Sequence, residues 1–432
     1  MSARNRELLG LVPASLLVTA GFAAVFIQRQ EVLSDVSLTY GAIFLGLCVA
    51  AHMILRLTLP YADPYLFPLV ALLASFGIVM IYRIDETLAR EQAQWFVVGL
   101  AFFALTIVFL RDYRKLERYK YTIAAAGIVL LLLPRVPGIG QQVNGAYLGV
   151  GIGSISFQPA EFAKIAIVVF LASYLRDTRQ VLVIGARRFL GLTIPPLKHF
   201  GPLLVVWGAA MLMLVFIRDL GSSLMFFAAF LALLYVATNR LSFVLVGATL
   251  FGLGAWFLTS SVGHVNDRIQ AWLHPFDEKL YEAPGGSYQV AQSLFAQADG
   301  GMFGTGFGQA LLKLPSGASI LPAPHTDLIY AVTTNELGLA GACALLLIYL
   351  LICERGFKTA MLARDSFSTL LAAGLTSVFA LQVFVIVGGV TKTIPLTGVT
   401  LPFVSYGGSS IVANFVLLAL LLLVSDRARR PA

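Results

Sequence analysis

Long apolar runs separated by short polar or glycine-rich segments dominate the chain. They fall at about 8–27, 40–59, 65–82, 95–110, 120–134, 162–175, 200–217, 224–238, 242–260, 328–353, 368–390 and 411–425. At ~1.5 Å per helical residue, each crosses, or nearly crosses, a hydrocarbon core of ~30 Å. Residues 200–238 are too long for one span, and Arg218-Asp219-Leu220-Gly221-Ser222-Ser223 interrupts them, so a tight hairpin is predicted there. The first run follows Arg4 and Arg6, is long for the apolar part of a signal peptide, and is read as a first spanning helix. The pattern predicts an all-α polytopic membrane protein with about twelve transmembrane helices.

Composition agrees. Of 432 residues, 58% are hydrophobic and 12% charged, about half the charged fraction usual for a soluble domain. The net charge of +8 does not point to nucleic acid, because the basic residues cluster in short loops between apolar runs, where they orient the chain and meet membrane lipids. With both termini cytoplasmic, most of the 30 Lys and Arg fall inside: residues 111–120, Arg176 to Lys198, Arg355 to Arg364, and Arg427, Arg429 and Arg430. Reading 200–238 as a single span would put the last two groups outside, against the positive-inside tendency. Cys48, Cys343 and Cys353 lie in apolar runs and suggest neither a disulfide framework nor a metal site.

This topology gathers polar, glycine-rich material on the outer face: 135–160, a long loop at 261–327 between helices 9 and 10, and 391–410. A loop as long as 261–327 in a compact protein is usually functional. In PHTDLIYAVTTNELG, Asp327 stands where loop becomes helix. Thr326 or Asp327 could cap that helix; equally, Asp327 could be a general base whose pKa is raised at a membrane–water boundary. Glu336, nine residues on, falls ~13 Å deeper on the opposite side of an ideal helix, which suits a structural partner. In FQPAEFAKIAI, Glu161 and Lys164 are spaced to pair. Lys164 either snorkels outward from that pair or meets an anionic substrate group such as a pyrophosphate. Arg268, one of few outer cations, is a solvated charge or a phosphate contact. The segment PLTGVTLPFVSYGGSS offers backbone N–H groups to an anion or packs as a re-entrant loop. There is no P-loop, HExxH, GxSxG or CxxC.

Taken in order, these strings resemble the SEDS family of FtsW, RodA and SpoVE proteins. The strings are Asn144-Gly145-Ala146; Gln158-Pro159-Ala160-Glu161 with Lys164; Asp219-Leu220-Gly221; Tyr288-Gln289, Gln292-Ser293 and Gly300 to Gly306; His325-Thr326-Asp327-Leu328-Ile329; Glu336-Leu337-Gly338; and Pro395 to Ser410. Departures are Ala160 for the family's Ser, Leu328 for its Phe, Ala323-Pro324 where an acidic residue is common, and Gly149 near a usual Trp.

The resemblance implies a GT-C-like membrane domain over 65–432, a SEDS core of about ten helices, with residues 1–64 as a two-helix extension. It implies a peptidoglycan glycosyltransferase that polymerises lipid II at the outer face of a bacterial cytoplasmic membrane beside a class B penicillin-binding protein. It makes Asp327 the catalytic residue. It matches Glu161, Lys164 and Glu336 to positions important for substrate or structure, and on this reading Lys164, Glu161, Arg268, Gln289, Gln292, Ser293, His325, Thr326, Ser405, Gly407 and Gly408 are expected toward lipid II and the lipid-linked strand, with Glu336, Asp219 and Asn144 in support. A divalent cation such as Mg or Mn bound with pyrophosphate would share the charge, though the sequence shows no full protein site for it. The alternatives are a lipid II flippase and a non-catalytic scaffold. The motifs do not separate elongation from division; the short tail leans mildly toward the elongation type.

Overall fold

The computed structural model describes residues 3–28, 36–143, 146–152, 155–184, 187–189, 192–194, 208, 220–261, 263–283, 285–314 and 319–431. Its frame is helical: α1 (Ala3–Gln28), α2 (Val36–Thr58), α3 (Leu66–Ile84), α4 (Glu86–Phe109), α5 (Lys120–Leu132), α6 (Pro159–Ile184), α7 (Leu220–Thr238), α8 (Leu241–Ser261), α9 (Gly263–Leu273), α10 (Tyr288–Gly300), α11 (Ile329–Leu362), α12 (Ser366–Val390) and α13 (Gly408–Arg429). Among the described residues, eight helices are long and apolar enough to cross a membrane. The chain is a multi-pass membrane protein. Each apolar run forms a helix except 200–217, which, apart from Gly208, lies outside the described residues together with the Arg218-Asp219 half of the expected hairpin.

Sequence explains which helices are central. Helices α12 and α13 are apolar all round and buried along most of their length, as a helix enclosed by others must be. Helix α13 packs on α4, and its Phe415 ring stands edge-on to Phe96 at 5.5 Å and to Phe403 at 5.1 Å. Asp85 caps α4 by accepting from Thr87 N and Leu88 N; Asp365 caps α12 through Ser368 N at 3.0 Å.

Both termini lie at one end of the bundle. Arg4 donates to Glu7 and to the Ala62 carbonyl, and Asp63 meets Arg429 at 2.8 Å and Arg355 at 3.5 Å. The opposite end, called the far end here, is the one that charge placement reads as outer.

Two features differ from the sequence reading. Three strands, β1 (Gly140–Val143), β2 (Ala146–Ile152) and β3 (Ile155–Phe157), form an antiparallel sheet, and Arg187–Phe189 pairs antiparallel with Leu192–Ile194. The glycines that made 135–160 look like loop make room in the sheet: a Cβ on Gly151 would stand 2.2 Å from the Gln141 side chain. Helix α11 is also broken at Gly338, at φ 66°. There the turn 300–306 packs against the helix, with Leu339 N donating to Gly301 O and Thr305 N to Asn335 O.

Candidate active site

The segment between α12 and α13 enters the bundle as a re-entrant loop. Leu401, Phe403 and Val404 are buried in it, and Gly77 of α3 lets it approach, since a Cβ there would lie 2.6 Å from Phe403 O. Irregular backbone at membrane depth is tolerated only when its polar groups find protein partners. Here they do. Tyr349 Oη donates to Pro402 O at 2.6 Å, and Gln382 Nε2 to Thr400 O at 2.9 Å. Gln92 donates to Ser405 O at 3.3 Å and accepts from Gly407 N at 3.1 Å. From the far end, Trp272 Nε1 donates to Lys392 O and Arg268 Nη1 to Leu396 O, each at 2.9 Å.

This loop holds the turn that carries Asp327. Ser405 Oγ donates to Thr326 O at 2.8 Å, and Tyr406 N to His325 O at 2.8 Å. The His325 ring stands edge-on to Tyr406 at 5.8 Å. Gly398, at φ 71°, lies beside the carboxylate: a Cβ there would come within 3.5 Å of Asp327 Oδ2.

The Asp327 side chain keeps part of its surface open but is otherwise enclosed by protein atoms. Burial pushes its carboxyl up to about 6, against the opposing pull of the Arg268 charge. Burial also holds the His325 imidazole below its ordinary value, with Asp85 opposing.

The capping expectation is corrected. The cap position of α11 is Leu328, and no side chain caps it. The 323–328 turn, entered through Ala323 at φ 45°, closes on its own backbone, with Leu328 N and Thr326 Oγ1 both donating to Ala323 O. Among the described residues nothing donates to the Asp327 carboxylate.

Glu336 also moves from its expected place. It accepts from Arg83 Nε at 3.0 Å and from Gly308 N at 2.9 Å, and Gln28 donates to Gly308 O at 2.7 Å. Arg83 and Gln28 are at the far ends of α3 and α1, so Glu336 is level with those ends and not ~13 Å deeper than the mouth. The break at Gly338 separates the 329–337 segment from the stretch that follows, so rise along that first segment does not measure depth. Its carboxylate is committed to the Arg83 guanidinium and the Gly308 N–H.

Lys164 neither snorkels nor faces solvent. It is 0% exposed, and its Nζ donates to Glu161 Oε2 and Gln382 Oε1, both at 2.6 Å. Arg268 is half-buried on the re-entrant loop, not a free surface charge. Ser293 is buried and donates to Val390 O at 2.7 Å, while Gln292 Nε2 donates to Tyr281 Oη at 2.7 Å. Gln289 is half-buried on α10. Gly408 packs under Trp95, where a Cβ would lie 2.3 Å from the ring. Asn144 and Asp219 lie outside the described residues.

Residues 64–430 match the model of the FTSW_RODA_SPOVE family, described as "Cell cycle protein". The chain belongs to this family. It is 42% identical over 439 residues to the peptidoglycan glycosyltransferase RodA of Mycobacterium tuberculosis, covering 99% of this chain and 92% of that protein. It is 32% identical to stage V sporulation protein E of Bacillus subtilis, covering 85% of this chain and 98% of that one. Among solved structures it resembles a chain from work on "Structural coordination of polymerization and crosslinking by a peptidoglycan synthase complex" (TM-score 0.66, 25% identity, 86% of this chain and 99% of that one). It also resembles Thermus thermophilus RodA (TM-score 0.60, 25% identity, 86% of this chain and 98% of that one).

Within this family member, the sequence reading missed Gln92, Gln382, Arg83 and Gly398 as parts of the site. Gln92 and Gln382 had a signal: each is an amide inside or beside an apolar run, and such a group needs a partner. Gly398 lay within the segment 395–410 singled out above but was not named in it, and Arg83 had no signal, since its partner is distant in sequence.

Proposed function

We propose that Asp327 is the general base of a peptidoglycan glycosyltransferase that joins lipid II to a lipid-linked glycan strand. One observation carries this reading: a carboxylate with a raised pKa, held by its neighbours' backbone and left without a capping task, in the mouth of a protein from this family. Asp327 takes the proton from the 4-hydroxyl of the acceptor GlcNAc as that oxygen attacks the anomeric carbon of the donor. The new β1,4 bond forms with inversion. The bond to the lipid pyrophosphate breaks, and its electron pair leaves with the phosphate oxygen. Arg268 supplies positive charge near Asp327 and is the candidate for the developing negative charge. Lys164 and Glu161, buried under the loop, keep it in place. Among the described residues no three His, Cys, Asp or Glu side chains converge on a metal site.

The polymerase works at the outer face of the cytoplasmic membrane, with both termini inside. Its partner is a class B penicillin-binding protein, a reading supported by the resemblance to a chain from a synthase complex that couples polymerisation to cross-linking.

The test uses purified protein in detergent micelles with lipid II, where no sidedness exists. Glycan polymer is the expected product. Absence of polymer there, with lipid II movement across vesicles containing the protein, would overturn the reading in favour of a translocator.

A further inference from the structure

Beneath the re-entrant loop, α12 carries one strongly polar side chain at its centre. Gln382 is 0% exposed, in a helix that is otherwise apolar around it. A buried amide is costly unless both of its ends are satisfied. Its orientation follows from its partners. Lys164 Nζ can only donate, so it takes Oε1 at 2.6 Å; the Thr400 carbonyl can only accept, so it takes Nε2 at 2.9 Å. Gln382 therefore joins a buried cation to the backbone of the loop, a task that requires an acceptor and a donor on one side chain.

The loop carries that connection onward. Leu401, next to Thr400, donates its N–H to Ser405 Oγ at 2.9 Å, and Ser405 Oγ donates to Thr326 O at 2.8 Å. Thr400 Oγ1 also donates to Ser410 Oγ at 2.8 Å, in the first turn of α13. Thr326 precedes Asp327. A continuous path of partnered groups, buried as far as Ser405 and half-buried at Thr326, thus runs from the Glu161–Lys164 ion pair to the backbone of the residue before Asp327.

We propose that Gln382 is a positioning residue of the transfer reaction, coupling the buried Lys164–Glu161 pair to the turn that presents Asp327. This rests on the glycosyltransferase reading above. Gln382 touches neither substrate nor Asp327; it fixes the height of the loop on which both depend. Its effect therefore falls on the rate of the chemical step more than on substrate capture.

Two variants separate this role from simple packing. Gln382→Glu keeps the side chain's size and its acceptor for Lys164 but loses the donor to Thr400 O. Gln382→Met keeps the volume and loses both. In micelles with lipid II, Gln382→Glu is expected to lower kcat about 10–100-fold, the size of loss that follows slight misplacement of a catalytic group. KM should stay within about twofold, and the thermal midpoint should fall with the loss of the Thr400 partner while the protein stays folded at the assay temperature. Gln382→Met combined with Ser405→Ala should be hardly slower than the worse single variant, because both cut one path. A folded Gln382→Glu protein with kcat within about twofold of the parent overturns the proposal. So do kcat losses that multiply in the double variant. If Gln382→Met does not fold, the near-isosteric Gln382→Glu decides alone. The parent protein is the control: if it makes no polymer, the glycosyltransferase reading fails; if it does while Gln382→Glu is unimpaired, only this proposal fails.

Discussion

Asp327 shares a turn with two residues held by their backbone, Thr326 and His325, and its own side chain is left over. That makes its protonation the quantity to measure. A general base works only when deprotonated, and its carboxyl is raised to about 6 by burial. Polymerisation should accordingly fall as pH drops through about 6. Arg268 pulls that value down, so Arg268→Gln should move the acid limb of kcat/KM to higher pH; a limb that stays put or moves lower contradicts the assignment. The stability sign is opposite to the catalytic one. A carboxyl raised in the folded state favours its protonated form, so its ionisation weakens the fold as pH rises from the unfolded value through about 6. Thermal unfolding at pH 8 should therefore show Asp327→Asn at least as stable as the parent protein. Sequence alone found this residue, but left cap and base undecided. The fact that removes the cap reading, that the 323–328 turn closes on Ala323 O and leaves α11 uncapped by any side chain, depends on backbone angles such as φ 45° at Ala323 that no local pattern announces.

Elements were legible where burial is set by one periodicity and obscure where distant segments meet. Apolar runs located the helices because lipid and core both select apolar side chains over whole turns. The sheet of β1, β2 and β3 was hidden because its glycines mimic a loop, and the break in α11 because it is made by another segment. Gly338 has φ 66°, and a Cβ there would stand 2.3 Å from Gly304 N. Gly338→Ala should cost about 1–3 kcal/mol in strain, and more if the turn is displaced. Thermal unfolding in detergent checks this; an unchanged midpoint would show that the break is not enforced by close packing. Since Glu336 and the turn 300–308 are fastened together beside this glycine, the same variant should also slow polymerisation.

At the scale of the whole molecule, both termini share one end with the Asp63–Arg429 and Asp63–Arg355 pairs, and Asp327 with its loops occupies the other. Charge placement is the ground for the proposal that the first end is cytoplasmic. In a variant lacking Cys48, Cys343 and Cys353, Glu278→Cys should react with a membrane-impermeant maleimide in intact cells. Lys358→Cys should react only after permeabilisation; the reverse pattern would invert the topology. The two N-terminal helices precede the family match at residue 64, yet α1 runs along α3 and its Gln28 reaches the turn that holds Glu336. Nothing in their apolar sequence pointed to that contact, which exists only once the bundle is assembled. The account as a whole turns on one carboxylate. Its most direct test is lipid II polymerisation by purified Asp327→Asn, with folding checked by thermal unfolding. The expected result is a loss of about 10²-fold or more in a folded protein; near-parental polymer from that protein would contradict it.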